Sequence, residues 1–413
     1  MKTEIIVIGD ELLIGQVIDT NSAWMAAELN HVGWDVCRVI TVRDEKEAIT
    51  EAINSAFSNV DAVLMTGGLG PTSDDITKPV LCSYFGGKMH FDESVYQQVE
   101  RYFAGRGLKM NESTRHQADV PDVCTVIPNP VGTAPIMWFE KEGKVLVSMP
   151  GVPHEMHVAM KGEVIPRLRQ HFGDHDTILH RTLLVYHNTE SGLSERLQDF
   201  EHQLPSCIKL AYLPTPGMVR LRLTARGDDE VSLTTIIDNQ VGKLHHILGN
   251  DIFADGDLTI AGALGTQLLQ RQYTLATAES CTGGNIAHEI TAVAGSSRYF
   301  TGTVVAYSND IKQHILHVPA EVLQQHGAVS QATVELMAQG AQQLMGTTCA
   351  IATSGIAGPG GGTPDKPVGT VWIAVRCGDK TVSECCQFGG SRLYVIERAT
   401  QRALLMLIDL ISN

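Results

Sequence analysis

A serine in a glycine turn is the first chemically informative feature of this sequence. Ser280 lies within residues 278–284, after a run of β-forming and small residues and before a predicted helix over residues 285–291. Two glycines permit a tight turn, and a helix N-terminus offers backbone N–H groups that can hold an anion or a developing oxyanion. Ser280 is therefore a candidate nucleophile.

A lysine further along the chain is the candidate base for that serine. Lys312 follows an apolar strand that breaks at Ser-Asn-Asp, so Tyr307 and Lys312 can converge at the end of the strand. A serine hydroxyl is inert at neutral pH unless a base takes its proton, and a lysine can do so when burial lowers its pKa. Cys281, next to Ser280, is an alternative nucleophile that a replacement test must separate from it.

A second glycine-rich loop follows another apolar strand. Residues 353–362 contain five glycines and come directly after the strand 350–352. Such a loop can bring backbone N–H groups close to a phosphate, although a mobile loop is the alternative interpretation. Arg392 could clamp a phosphate with its fork of donors, or be an ordinary surface arginine at a helix start.

Together these motifs resemble the CinA C-terminal domain family, the nicotinamide mononucleotide deamidases. The resemblance implies hydrolysis of the carboxamide of nicotinamide mononucleotide to nicotinate mononucleotide and ammonia, without metal or cofactor. On this basis Ser280 is the nucleophile, Lys312 its base and Tyr307 a proton relay or orienting group. Another pyridine nucleotide is an alternative substrate. The resemblance further implies phosphate and ribose contacts from Gly283, Gly284, Ser297, Thr353, Gly355 and Arg392. The matching segments are residues 278–284, 294–302, 307–312, 327–330 and 353–361.

The first part of the chain alternates short apolar strands with helices. Predicted strands over residues 4–8, 62–65 and 144–148 each run into a loop rich in glycine or proline. This alternation predicts a parallel sheet with helices on both faces, and such sheets bind ligands in the loops at the strand ends. We therefore expect the three loops to share one rim.

Two of these loops resemble the molybdopterin-binding (MoCF-type) fold of the CinA N-terminal domain. The segments are residues 9–21 and 66–77, and the resemblance covers residues 1–168. It implies a glycine loop that cradles phosphate, and a metal-dependent ADP-ribose pyrophosphatase activity that yields AMP and ribose 5-phosphate. The substrate-binding residues predicted for this region are Gly67, Gly68, Gly70, Thr72 and Asn21.

Splitting a pyrophosphate requires carboxylates that hold a divalent cation, here Mg, Mn or Co. The candidate metal ligands are Asp10, Glu11, Asp74 and Asp75. Short carboxylates also commonly cap turns and helices, which is the structural alternative. A domain that binds a nucleotide or pterin without turning it over, as a competence-linked sensor, is the functional alternative.

The remaining features concern domain organisation and partners. Residues 172–250 read as a small α+β module in the order βαββα, with its first helix over residues 189–200. Relatives carry a KH-like domain here, but this module has no GXXG loop that would grip nucleic acid. A spacer or homodimer-forming role is expected. The predicted fold class is therefore α/β with three parts: an MoCF-like domain over residues 1–168, the α+β module over 172–250, and a CinA deamidase domain over 255–413.

Composition limits the class of protein. The chain has 413 residues, 43% hydrophobic residues and a net charge of −15, which suits ordinary cores and argues against nucleic-acid binding. We see no apolar run of about 20 residues and no secretion signal, so no membrane contact and a cytoplasmic location are expected. Nine irregularly spaced cysteines predict neither a disulfide framework nor a zinc site.

Overall fold

The computed structural model describes most of the chain, namely residues 1–72, 75–173, 177–186, 188–215 and 217–412. The candidate metal ligand Asp74 lies outside the described residues. Two compact units are present, and each is described by itself. The first consists of residues 1–179 with 226–234, and the second contains residues 180–225 and continues from residue 235.

The first unit carries the predicted alternation of strands and helices. Its elements are β1 (Lys2–Ile8), α1 (Asp10–Leu13), α2 (Asn21–His31), β2 (Asp35–Val42), α3 (Lys46–Phe57), β3 (Ala62–Thr66), α4 (Thr77–Tyr84), β4 (Met89–Phe91), α5 (Glu93–Ala104), α6 (Glu112–Arg115), β5 (Asp119–Pro121), β6 (Thr125–Ile127), β7 (Ile136–Lys141), β8 (Lys144–Met149), α7 (Pro153–Ala159) and α8 (Ile165–Phe172).

Six of these strands form one sheet in the order β2-β1-β3-β8-β7-β6. The first four strands are parallel, and β7 and β6 add an antiparallel edge. Residues 5–8 of β1 and 62–65 of β3 are continuously apolar, as expected where both sheet faces are covered. Ile5 packs with Met25 of α2 on one face, and Ile6 packs with Ile53 of α3 on the other. The predicted parallel sheet with helices on both faces is confirmed.

The loops after β1, β3 and β8 lie at one edge of this sheet, as the sequence predicts. Register pairs Val7 with Thr66 and Thr66 with Met149, so the three strands end level with one another. A cavity of about 350 Å³ opens between the loops and is lined by Gly9, Gly67 and Gly151, among others. Gly67 must be glycine, because its φ is 108° and a Cβ would lie 2.1 Å from the carbonyl oxygen of Ile8.

The middle module is built on a sheet in the order β10-β11-β9-β12. The structure differs from the predicted βαββα pattern in two places. The predicted helix over residues 189–200 is divided at Leu197, and a fourth strand follows the last helix. The elements are β9 (Thr177–Val185), α9 (Glu190–Arg196), α10 (Gln198–His202), β10 (Ile208–Thr215), β11 (Met218–Gly227), α11 (Glu230–Leu248) and β12 (Ile252–Asp255).

The C-terminal domain is a second α/β layer structure. Its elements are α12 (Ile260–Arg271), β13 (Leu275–Glu279), α13 (Asn285–Thr291), β14 (Phe300–Val305), α14 (Asn309–His314), α15 (Ala320–His326), α16 (Gln331–Met345), β15 (Cys349–Gly355), β16 (Thr370–Cys377), β17 (Lys380–Gln387) and α17 (Arg392–Ser412).

The sheet of this domain has the order β14-β13-β15-β16-β17. Helices α12, α13 and α17 pack on one face, and α16 packs on the other. The first three strands are parallel, and register aligns Glu279 with both Val305 and Thr353. The loops that follow these three strands therefore meet at one edge. In the part of the chain that is described, no helix has the length and apolar character to cross a membrane.

Candidate active site

The edge of the C-terminal sheet brings Ser280 and Lys312 together. Ser280 follows β13 directly, and Lys312 lies in α14, whose first turn is capped by the Ser308 hydroxyl. The Lys312 Nζ is 3.1 Å from Ser280 Oγ and donates a second hydrogen bond of 2.6 Å to the carbonyl oxygen of Ala306. Nucleophile and base are thus within direct proton-transfer distance.

Burial makes Lys312 a suitable base. Its side chain is 1% exposed, and removal from water lowers the pKa of the Lys312 ammonium below its ordinary value. Burial has the opposite consequence for Cys281, because it raises the pKa of that thiol to about 12. A thiol that stays protonated at neutral pH is a poor nucleophile, so the geometry favours Ser280 over Cys281.

The serine turn is organised by a buried carboxylate that sequence reasoning missed. Glu279 is 0% exposed and accepts hydrogen bonds from the backbone N–H groups of Gly284 (3.0 Å), Ile286 (3.1 Å) and Ala287 (2.9 Å). It also accepts one of 2.8 Å from the Thr282 hydroxyl. The N-terminus of α13 is therefore already occupied by an anion of the protein itself.

The N–H groups of the two glycines predicted to contact substrate are also bonded within this turn. The N–H of Gly284 bonds to Glu279, and the N–H of Gly283 bonds to the carbonyl oxygen of Ser280 at 3.1 Å. Both N–H groups are used inside the turn and are not free for a substrate oxyanion or phosphate. The φ angles of 61° for Gly283 and 100° for Gly284 give these residues a conformational role instead.

Thr353 and Gly355, predicted to touch substrate, make contacts with the serine turn and the neighbouring strand. The carbonyl oxygen of Thr353 accepts the Ser280 N–H at 3.0 Å, and its buried hydroxyl shares a 2.7 Å hydrogen bond with Thr282. At Gly355, a Cβ would lie 2.6 Å from the carbonyl oxygen of Thr370. These contacts position the nucleophile and allow close strand packing.

Tyr307 and Arg392 form a second pair on the outer side of this edge. The Tyr307 side chain is 62% exposed, and its hydroxyl accepts a 2.8 Å hydrogen bond from Arg392. Arg392 also donates to the carbonyl oxygen of Gly358 at 2.7 Å. These bonds use two of the five guanidinium N–H donors, so Arg392 ties the second glycine loop to Tyr307 and keeps donors for an anion.

The structure does not bring Ser297 to this site. Helix α13 carries the chain from Ser280 back across the sheet, so Ser297 precedes the start of β14, where Phe300 is aligned with Leu275. Ser280 follows the opposite end of the parallel strand pair. A strand of this length separates the two by about 15 Å at about 3.3 Å per residue, and the substrate contact expected of Ser297 stays a prediction.

The rim of the N-terminal cavity is acidic, as predicted, but it includes a residue that we did not predict. Asp44 lines the cavity with Glu11 and Asp75. Burial raises the pKa of the Asp44 carboxyl, and repulsion from Asp10, then from Glu11 and Asp75, adds to the effect. Asp44 therefore lies within electrostatic range of three other carboxylates.

This rim does not form a ready-made metal centre. Asp75 accepts hydrogen bonds from the backbone N–H groups of Gly70 (2.8 Å) and Thr72 (3.0 Å) and from the Thr72 hydroxyl, so it caps its own loop. Asp10 lies 3.5 Å from Arg43. Within the described ranges no group of three or more histidine, cysteine or acidic side chains is arranged to hold a metal ion. Asp10, Glu11 and Asp75 would therefore need additional ligands to hold a metal ion.

The predicted nucleotide-contacting residues are largely at the cavity. Gly67, Gly68, Gly70 and Asn21 line it. The Asn21 amide donates to Thr66 Oγ1 (3.2 Å) and to the carbonyl oxygen of Gly151 (2.8 Å), which ties two of the loops together. Thr72 instead bonds to Asp75 within its own turn.

Two signals in the sequence could have identified the missed residues. Asp44 comes shortly after a run of β-branched residues, so it could have been predicted as an acid at a strand end. Glu279 lies at the last strand position before the serine turn. An acid just before a helix start is a common capping partner for its N–H groups. Neither signal reveals that Glu279 is fully buried.

Fold and sites together define a three-part α/β protein with one site at a sheet edge in each terminal domain. Comparison with known families agrees. The chain matches a probable molybdopterin binding domain over residues 4–170, the KH domain of damage-inducible protein CinA over residues 180–254 and the CinA C-terminal domain over residues 257–411. The chain belongs to the CinA family.

Relatives match along nearly the whole length. A CinA-like protein of Flavobacterium psychrophilum is 44% identical over 98% of this chain and 98% of the relative. A CinA-like protein of Cytophaga hutchinsonii is 42% identical over 98% of this chain and 96% of the relative. A solved structure, the competence/damage inducible protein CihA from Agrobacterium tumefaciens, is 37% identical over 37% of this chain and 94% of that chain, with a TM-score of 0.37.

Proposed function

We propose that the C-terminal domain is an amidohydrolase that converts nicotinamide mononucleotide to nicotinate mononucleotide and ammonia. The observation that carries this proposal is the 3.1 Å contact between the buried Lys312 Nζ and Ser280 Oγ. A serine paired with a lysine of lowered pKa is a recognised means of acyl transfer, and an amide is an acyl substrate. Arg392, with free donors beside this edge, suits the phosphate of a mononucleotide.

Each step of the proposed reaction is assigned to a residue of this site. Lys312 in its neutral form takes the Ser280 proton while Ser280 Oγ attacks the carboxamide carbon. The lysine then returns the proton to the departing nitrogen, which leaves as ammonia and gives an acyl-serine. Water, deprotonated by the same amine, cleaves the ester. Tyr307 orients Arg392 and relays protons at the solvent side of the site.

Ammonia release in the presence of a chelator tests this proposal. Wild-type protein and Cys281→Ser should release ammonia from nicotinamide mononucleotide, whereas Ser280→Ala should not. Activity in Ser280→Ala together with inactivity in Cys281→Ser would reverse the nucleophile assignment. No release by any form would leave this edge as a binding site, and release from a different pyridine nucleotide amide would correct the substrate.

For the N-terminal domain we propose hydrolysis of ADP-ribose to AMP and ribose 5-phosphate with a divalent cation. The observation that favours it is the repulsion of the Asp44 carboxylate, at the cavity beside the glycine loop, by Asp10, Glu11 and Asp75. Mg²⁺ is commonly held by one or two carboxylates plus substrate phosphates, so a full protein cage is not required. The cation would offset charge on the pyrophosphate and activate water.

Metal-stimulated AMP formation tests this second activity. Wild type should cleave ADP-ribose with Mg, Mn or Co, and Asp44→Asn should lose most of that stimulation. Ser280→Ala is the matched control, because it removes only the other activity. Binding of ADP-ribose without cleavage would support the sensor alternative, in which this domain binds a nucleotide or pterin and does not turn it over.

A further inference from the structure

Two cysteines of the C-terminal sheet face each other across neighbouring antiparallel strands. Cys349 begins β15, Cys377 ends β16, and the register pairs them directly. Their Sγ atoms are 3.1 Å apart. Cys349 lies at one end of β15, and Cys377 lies beside it on β16. Thr353, which contacts Ser280, lies toward the other end of β15, so the pair is separate from the candidate active site.

The position of the pair in the hydrogen-bond ladder suits a covalent bond. Gly378 N donates to the carbonyl oxygen of Thr348 at 2.9 Å, whereas Cys349 N donates away from β16, to Thr274 on the other side, at 2.8 Å. Cys349 and Cys377 are therefore a non-hydrogen-bonded pair. Such pairs have Cα atoms about 4.5 Å apart, within the range of about 4.4–6.8 Å found in disulfides.

Little movement separates the two thiols from a bond. The sulfurs must close from 3.1 Å to about 2.05 Å, which small χ1 rotations of the two side chains can supply without a change of register. Cysteines adjacent in one strand, such as Cys385 and Cys386 on β17, point to opposite faces and have no such partner in each other.

The two thiols differ in access. Cys377 is half-buried, so a reagent can reach it, whereas Cys349 is 0% exposed. Burial and the neighbouring Cys377 raise the pKa of the Cys349 thiol. Attack on an external oxidant therefore begins at Cys377, and Cys349 is the resolving partner that acts only on a sulfur already beside it.

We infer that Cys349 and Cys377 are a dithiol modification site that low-molecular-weight disulfides oxidise to an intramolecular disulfide. The Cys377 thiolate attacks one sulfur of the reagent RSSR, which forms a mixed disulfide and releases one RS⁻. Cys349 then loses its proton and attacks the Cys377 sulfur, which releases the second RS⁻. Two protein thiols are oxidised, the reagent is reduced to two thiols, and the two protons pass to the thiolates.

The bond joins strands that are already paired, so it acts as a lock on the sheet. A cross-link that closes a loop of about 30 residues restricts the unfolded chain, and the oxidised protein should melt roughly 5–10 °C higher than the reduced one.

The experiment uses the full-length protein, first reduced and then incubated with oxidised glutathione. Thiol alkylation, digestion and mass spectrometry should find Cys349 and Cys377 in one disulfide-linked peptide pair, with the higher melting temperature reversed by dithiothreitol. Cys349→Ala should leave a persistent glutathione adduct on Cys377. The matched control is Cys385→Ala, which removes an exposed neighbouring thiol and should still form the cross-link.

Two results would overturn this inference. One is a stable glutathione adduct on Cys377 in wild type, since the resolving step would then not occur. The other is a free Cys349–Cys377 pair under conditions that modify the exposed Cys37 and Cys385. If Cys349→Ala does not fold, Cys377→Ala decides the order of attack: Cys349 should remain a free thiol there, and glutathionylation of Cys349 would refute the proposed sequence.

Discussion

Replacement of Glu279 by glutamine tests how the serine turn is held. The side chain keeps its size, but the carboxylate becomes a neutral amide with one acceptor oxygen instead of two. In wild type one carboxylate oxygen accepts from Thr282, Gly284 and Ile286. The other accepts from Ala287 N–H at 2.9 Å and, more weakly, from the Thr277 hydroxyl at 3.4 Å. A glutamine can keep the hydrogen bonds from Thr282, Gly284 and Ile286 only if its amide oxygen takes their side. Its NH2 group then faces the N–H of Ala287, and two donors oppose each other.

The magnitude follows from these bonds. A hydrogen bond to a charged group contributes about 1.5–3 kcal/mol and a neutral one about 0.5–1.5 kcal/mol, so weakening the three bonds kept to the amide oxygen costs about 3 kcal/mol in total. Leaving the buried N–H of Ala287 without an acceptor adds about 1–3 kcal/mol. Allowing for partial relaxation, we expect Glu279→Gln to lower the free energy of unfolding by about 3–5 kcal/mol.

The kinetic effect should fall on kcat. Glu279 is fully buried and holds the turn that places Ser280 Oγ beside Lys312. A displacement of about 1 Å at a reacting group can cost about a hundredfold in rate. Denaturant unfolding measures the stability change, and steady-state ammonia release below the melting transition separates kcat from KM. We expect kcat to fall at least tenfold, with a smaller change in KM.

The matched control is Glu321→Gln, which neutralises an exposed carboxylate on α15 and should change neither quantity. A free energy of unfolding for Glu279→Gln within about 1 kcal/mol of wild type, the scale of one ordinary hydrogen bond, would contradict this role of the Glu279 carboxylate. So would a drop in stability with unchanged kcat, because the carboxylate would then support the fold without positioning Ser280.

Three further predictions follow from individual contacts. Because burial lowers the pKa of Lys312, kcat/KM for deamidation should rise with pH through a single ionisation below the ordinary lysine value of about 10.4. Lys312→Arg should abolish the rate. A pH-independent rate would contradict this prediction. The Asp44 carboxyl has a raised pKa in the folded protein, so protonated Asp44 stabilises the fold and this stabilisation is lost as pH rises through the folded pKa. Asp44→Asn should therefore raise the melting temperature near pH 8 and leave it unchanged in strong acid. Gly355→Ala should cost about 1–3 kcal/mol in chemical unfolding because its Cβ would meet Thr370, whereas Gly360→Ala, which has open space, should be neutral.

The architecture was largely readable because strand and helix patterns are local. The apolar runs that became β1, β3 and β8 predicted a parallel sheet, and the rule that ligand loops follow strand ends placed the three loops at one rim. The antiparallel strands β6 and β7 were not predicted. Their pairing depends on long-range register, which periodicity does not specify.

The candidate active site was predictable in its chemistry and less so in its hydrogen bonds. The approach of Lys312 to Ser280 follows from two adjacent parallel strands that end level. The opposite placement of Ser297 follows from the same sheet, because a helix that crosses the sheet returns the chain to the far edge. The capture of the α13 N–H groups by Glu279 could not be foreseen, since a sequence does not reveal which acceptor satisfies a helix end.

The two candidate sites differ in their electrostatics, although both lie at the carboxyl edge of a parallel sheet. In the C-terminal domain the Glu279 carboxylate is satisfied by hydrogen bonds inside the turn, and Arg392 supplies a cation at the edge. At the N-terminal rim the carboxylates already repel one another, so an anionic substrate there requires a cation from solution. Chelation should therefore abolish ADP-ribose cleavage and leave ammonia release intact in the same protein sample. Equal loss of both activities would mean that charge complementarity does not separate the two sites.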